Sequence, residues 1–145
     1  MAEIKNSSIC ATRVDHPSAW KGSDFSSADE YAFDLGPRHY DAFDKALSKI
    51  DQRGLTLDDI EKEHFEVPEI ADDIAIIFDQ IQNGYGFVLI RGFPLDRYTE
   101  EELGLIYWGI GTHMGTGVSQ SVMGDRLGHV MDFSADNPNA RAYRN

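Results

Sequence analysis

The most constraining feature of the chain is a change of hydrophobic period within VPEIADDIAIIFDQIQNGYGFVLIRGFP, residues 67–94. Ile70, Ile74, Ile77, Phe78 and Ile81 recur at helical spacing, which gathers them on one stripe of a helix. Glu69, Asp72 and Asp73 stand near its start, where the helix dipole favours anions, and Asn83-Gly84 is a stop signal. Phe87, Val88, Leu89 and Ile90 then follow without a polar break, as in a strand covered on both faces, until Gly92 and Pro94 end it.

The flanks supply more helices. In GPRHYDAFDKALSKIDQRG, Tyr40, Phe43, Leu47 and Ile50 fall at helical spacing, and Pro37 suits a first helical position. Lys49 and Arg53 lie near the far end, where cations favour the dipole, and Gly54 can end the helix in the left-handed conformation. Thr56 is placed to cap a short helical turn. In YTEEELGLIYWGIG, Thr99 and Glu102 have capping-box spacing, and Leu103, Ile106, Tyr107 and Ile110 are the expected buried face.

Residues 1–36 are rich in Ser, Asp and Gly and show no sustained period. They read as an extended arm whose aromatics, Trp20 and Phe25, dock onto a single body spanning residues 37–145. The last third is Gly-rich with short β-like runs, GVSQSV, LGHVMDF and the beginning of one in ARAYRN, while ADNPNA is a loop by composition. Helices followed by an unfinished series of strands indicate an α+β class. Unpaired strands expose hydrogen-bonding edges, so the chain is expected to be the front portion of a longer protein.

Composition narrows the partners. The net charge is −12, so nucleic acid and anionic membrane would be repelled. Cys10 is the sole cysteine, which rules out an intrachain disulfide and a cysteine-based zinc site. The first residues lack an apolar signal-peptide core, and no run approaches a membrane span. A cytoplasmic location is the expectation.

His129 and Asp132 look at first like metal ligands. On a strand, residues three apart point to opposite faces, so the pair is read as a strand histidine and a neighbour. His113, in GTHMG, either faces a cleft or bonds a free carbonyl at a helix end; both readings stand open. His16, His39 and His64 sit among polar residues and read as surface. GIGTHMGTG fits neither a P-loop nor a dinucleotide fingerprint, so its glycines are assigned to turns or close backbone approach. Ser119 and Ser121 have no nucleophile-elbow context, and DRYTEEE reads as a solvated helix start.

The run GYGFVLIRGFPLDRYTEEELGLIYWGIGTHMG resembles the N-terminal part of the taurine dioxygenase (TauD/TfdA-like) family of Fe(II)/2-oxoglutarate oxygenases. SAWKGSDF, VSQS and LGHVMDFSAD continue the likeness, which covers the chain from about Ser18 to Asn145. The resemblance implies a double-stranded β-helix, or jelly roll, with N-terminal helices packed outside it. This chain would supply the helices and first strands only. The implied activity is oxidation of a small organic substrate, with Fe(II) and 2-oxoglutarate as cofactors.

The family signature is His-x-Asp, a distant second His and an Arg for the cofactor carboxylate. The resemblance places it after ARAYRN, so residues 1–145 are expected to lack it, to hold no catalytic residue and no metal ligand, and to be inactive alone. His113, Ser119 and Gln120 match positions beside the family's substrate cavity, and Arg144 and Asn145 lie on the approach to the iron-bearing strand. Expected partners are the substrate, the missing C-terminal part of the jelly roll and a second copy of the chain. The alternative is a non-catalytic binding or oligomerisation module that uses its open β edge.

Overall fold

A computed structural model describes residues 12–119, 124 and 126–128. Among them the regular elements are β1 (Ala32–Asp34), α1 (Pro37–Arg53), α2 (Ala71–Asn83), β2 (Leu89–Arg91) and α3 (Glu100–Thr112). Short 3-10 turns at Gly22–Asp24, Ala28–Glu30, Leu57–Asp59 and Pro68–Ile70 link them, the last running straight into α2.

The helix limits follow from local chemistry. Pro37 opens α1, and Gly54 ends it at φ 64, giving its N–H to the carbonyls of Ile50 and Asp51. That left-handed backbone costs glycine nothing and strains a residue with a Cβ. At α3 the Thr99 hydroxyl accepts the Glu102 N–H at 3.2 Å, and the Glu102 carboxylate accepts the Thr99 N–H at 2.8 Å. The reciprocal bonds satisfy two otherwise orphaned donors.

The core lies between α1, α3 and the connection from Ile60 to Ile70. Phe65 is its centre at 0% exposure, with Phe43 of α1 6.4 Å away ring to ring. On the other side Phe65 meets Gly109 of α3, where an added Cβ would fall 2.3 Å from the ring. Ile50, Ile60, Val67, Ile70, Ile106 and Ile110 complete the packing. The glycines of GIGTHMGTG do serve close approach at two places, since a Cβ on Gly117 would strike the Trp108 ring.

That contact also corrects the expected face of α3. Ile106, Gly109 and Ile110 are buried, whereas Tyr107 is 68% exposed. Phe65 seats on the glycine, which turns the helix so that Tyr107 faces out. In α2 the stripe is buried at Ile74 and Ile77 and half-buried at Phe78, but Ile81 lies at the surface. The last turn runs beyond the packed part of the helix.

β1 and β2 pair in parallel, with Ala32 opposite Leu89, Phe33 opposite Ile90 and Asp34 opposite Arg91. The expectation of a strand covered on both faces does not hold among the described residues: Leu89 is 41% exposed and the sheet has two strands. The arm carries β1 at its end, which three residues are too short to announce by period. Its aromatics dock as expected. Trp20 lies 5.1 Å from Phe87, Phe25 lies 5.0 Å from Tyr85, and the Trp20 indole N–H donates to the Tyr85 carbonyl at 2.8 Å.

The described residues form a mixed helix-and-sheet structure compatible with α+β. Gly117, Val118 and Ser119, the start of GVSQSV, are not in a strand; ARAYRN and LGHVMDF from His129 onward lie outside the described residues. Among the described residues no helix is long and apolar enough to cross a membrane.

Gly109→Ala should destabilise the fold by about 1–3 kcal/mol, because the methyl forces the Phe65 ring or α3 to move. Denaturant midpoints of the two proteins measure it; an unchanged midpoint would mean that the ring gives way freely.

Candidate functional site

An open groove of about 700 Å³ runs between α2 and the connection that precedes it. Ala71, Ile74, Ala75 and Phe78 form one wall. They recur at helical spacing, so they share one face of α2. Val67 and Pro68 continue the apolar surface, Lys62, Glu63 and Glu66 stand at the rim, and His113 closes the groove from the end of α3.

His113 lines the groove, and its hydrogen bond goes to a carbonyl other than those at its own helix end. It follows the last residue of α3, and its Nε2 donates to the Phe65 carbonyl at 2.8 Å. The bonded carbonyl belongs to a segment 48 residues away rather than to the end of α3. A carbonyl only accepts, so Nε2 carries the hydrogen, and in its neutral form the ring presents Nδ1 as an acceptor beside the apolar wall.

The rim is electrostatically organised. The Lys49 ammonium, 2.8 Å from Glu66, holds that carboxyl below the usual carboxylate range. Lys45 does the same to Glu69 at 2.6 Å and is itself raised by the pairing. Both pairs tie α1 to the segment beside the groove.

Among the sequence candidates, the groove takes in His113. Ser119 lies on the exposed stretch after α3 and is not part of the lining. Gln120, Arg144 and Asn145 lie outside the described residues, as do His129 and Asp132.

His39, expected at the surface, is buried at 5% exposure. It precedes Phe43 by one helical turn, so it belongs to the buried face of α1. Its Nδ1 accepts the Gly36 N–H at 2.9 Å, and its Nε2 lies 3.0 Å from the Asp73 carboxylate, which also pairs with Arg38. The expectation that the chain lacks His-x-Asp needs correction as well, because His39-Tyr40-Asp41 has that spacing. It is on a helix, where residues two apart diverge, and Asp41 is exposed while His39 is buried.

A facial triad needs two His and one carboxylate converging on a point. Among the described residues no group of three metal-ligating side chains converges. Both nitrogens of His39 and the Nε2 of His113 are already engaged. Of the arginines, whose guanidinium suits a 2-oxoacid carboxylate, Arg38, Arg91 and Arg97 are paired with Asp73, with Asp29 and Asp34, and with Asp44. The described residues do not supply the iron ligands.

One polar cluster escaped the sequence reading. Tyr98 is buried and donates to Asp44 at 2.8 Å, while Arg97 pairs with the same carboxylate and lies over the Tyr40 and Tyr98 rings. Burial, with Asp44 adding to it, pushes the Tyr98 hydroxyl well above its ordinary value. At Asp44 burial opposes the charge, but Arg97 and Tyr98 outweigh it and leave the carboxyl below its usual range.

No protein-family model matches the chain. Over 127 residues it is 24% identical to FR-33289 synthase of Streptomyces rubellomurinus, a match covering 88% of this chain and 38% of the relative. Over 128 residues it is 24% identical to taurine hydroxylase-like protein SAT17 of Stachybotrys chartarum, covering 87% of this chain and 33% of that protein. The chain spans little more than a third of the length of these curated relatives. The second name supports the resemblance to the taurine dioxygenase family and a dioxygenase relationship.

Two outcomes follow. His113→Ala should lower stability by about 1–3 kcal/mol by orphaning the Phe65 carbonyl, with His113→Gln losing less. Asp44 adds stability that is complete above the unfolded carboxylate value of about 4 and lost as pH falls through the lower folded value. Urea midpoints between about pH 5 and 2 should fall less steeply for Asp44→Asn than for the unaltered chain.

Proposed function

We propose that the chain is the N-terminal scaffold of an Fe(II)/2-oxoglutarate-dependent oxygenase acting on a small organic substrate. The observation that carries this reading is the match to a taurine hydroxylase-like protein along 87% of the chain. The motif-borne resemblance of residues 84–115 agrees with it. In this reading α1, α2 and α3 are the outer helices and β1 with β2 begins a larger sheet. The iron and the 2-oxoacid are held by residues of a longer polypeptide, and His113, Ser119, Gln120, Arg144 and Asn145 approach the substrate cavity there.

A second reading has its own observation. The parallel pair β1–β2 has free outer edges among the described residues, and parallel sheets are ordinarily covered and wider. A binding or oligomerisation module that adds a strand at that edge is consistent with it.

Anaerobic addition of Fe(II) and 2-oxoglutarate separates the two. Residues 1–145 alone should give no metal-to-ligand charge-transfer band, and a longer polypeptide with a later His-x-Asp should give one. A band from residues 1–145 alone would overturn the assignment of the ligands elsewhere. A strand-mediated dimer of residues 1–145, with no band from the longer polypeptide, would favour the second reading.

A further inference from the structure

The start of α1 is closed by an imidazole where a capping box ordinarily uses Glu or Gln. His39 stands at the third helical position, and its Nδ1 accepts the Gly36 N–H at 2.9 Å. Its Nε2 lies 3.0 Å from an Asp73 oxygen, which is an acceptor. An amide N–H only donates and a carboxylate only accepts, so the two contacts together require the neutral ring with its hydrogen on Nε2.

The neighbouring residue makes this cap consequential. The N–H of Leu35 donates to the Arg91 carbonyl at 2.9 Å, which extends the β1–β2 pairing by one bond. The next N–H along the chain is that of Gly36, bonded to His39. Two consecutive backbone donors thus fix the arm, one to β2 and one to the helix start.

We propose that His39 is a pH-operated latch between the arm and the helical body. Proton uptake places a hydrogen on Nδ1, turning the acceptor for Gly36 into a donor that faces another donor. The cap then opens, and the junction at Leu35 and Gly36 loosens. The charged groups around the ring set the balance. From α2, Asp73 favours the cation; from α1, Arg38 opposes it and already shares the same Asp73 oxygen. The positive end of the α1 dipole opposes it too. From β1 the ring is met by Phe33, edge-on at 5.7 Å, which carries no charge. A Glu at this position would cap α1 equally well near neutrality and in mild acid.

Amide hydrogen exchange at Leu35 and Gly36 tests the latch, expressed as protection relative to an unstructured peptide at the same pH. On acidification from neutral pH, Gly36 protection should fall by about tenfold, as expected for one lost hydrogen bond. His39→Gln supplies the same acceptor and donor without titrating, and it should hold its protection on the same acidification. Constant protection in the unaltered chain, or an equal fall in the Gln variant, would overturn the proposal. A nitrogen-15 titration of the unaltered chain gives an independent check if the variant misfolds. The His39 Nδ1 signal and the Gly36 amide shift should move with one midpoint, and separate midpoints refute the latch.

Discussion

The seat of Phe65 on Gly109 is the contact on which the rest of the molecule depends. A ring with no solvent exposure spans the space between α1 and α3, and glycine is the residue that lets the helix backbone come that close. The consequences spread from there. α3 rotates to present Ile106 and Ile110, the Phe65 carbonyl meets the His113 imidazole, and the connection from Ile60 to Ile70 becomes buried between helices. Interiors pack at near-crystalline density, so a face chosen by one close contact fixes its neighbours.

Most of the ion pairs act at the seams between segments. The chain has 13 basic and 25 acidic residues, and several of its cations join segments far apart in sequence. Lys49 and Lys45 fasten α1 to Glu66 and Glu69, Arg97 reaches Asp44 across 53 positions, and Arg91 reaches Asp34 across 57. Each exposed pair contributes little alone. Their placement gives a strongly acidic chain attraction at the junctions where repulsion would otherwise part its segments.

The helices were legible because their punctuation is local. Pro37 and Gly54 bound α1, and Thr99 with Glu102 opens α3, all within a few residues. What stayed hidden is non-local. The pairing of Ala32–Asp34 with Leu89–Arg91 depends on partners more than fifty positions apart, and three residues carry no period. The orientation of Tyr107 depends on a ring at position 65. His39 was hidden among polar letters, although its one-turn offset from Phe43 was the available signal. At the groove, the place of His113 at the end of α3 was legible from GTHMG. Its bond to Phe65 was not, since nothing in GTHMG names a carbonyl 48 residues upstream.

The two tryptophans of the chain fall in different neighbourhoods. Trp20 belongs to the docked arm, partly open to solvent among Phe25 and Phe87, and its indole N–H is held by Tyr85. Trp108 belongs to α3, half-buried, and its indole N–H is held by the Ile60 carbonyl at 3.1 Å. Their emission therefore carries two separate messages, one from the arm and one from the helices. With either indole replaced by phenylalanine, the light that remains follows a single part of the molecule, so detachment of the arm becomes visible apart from melting of the helices.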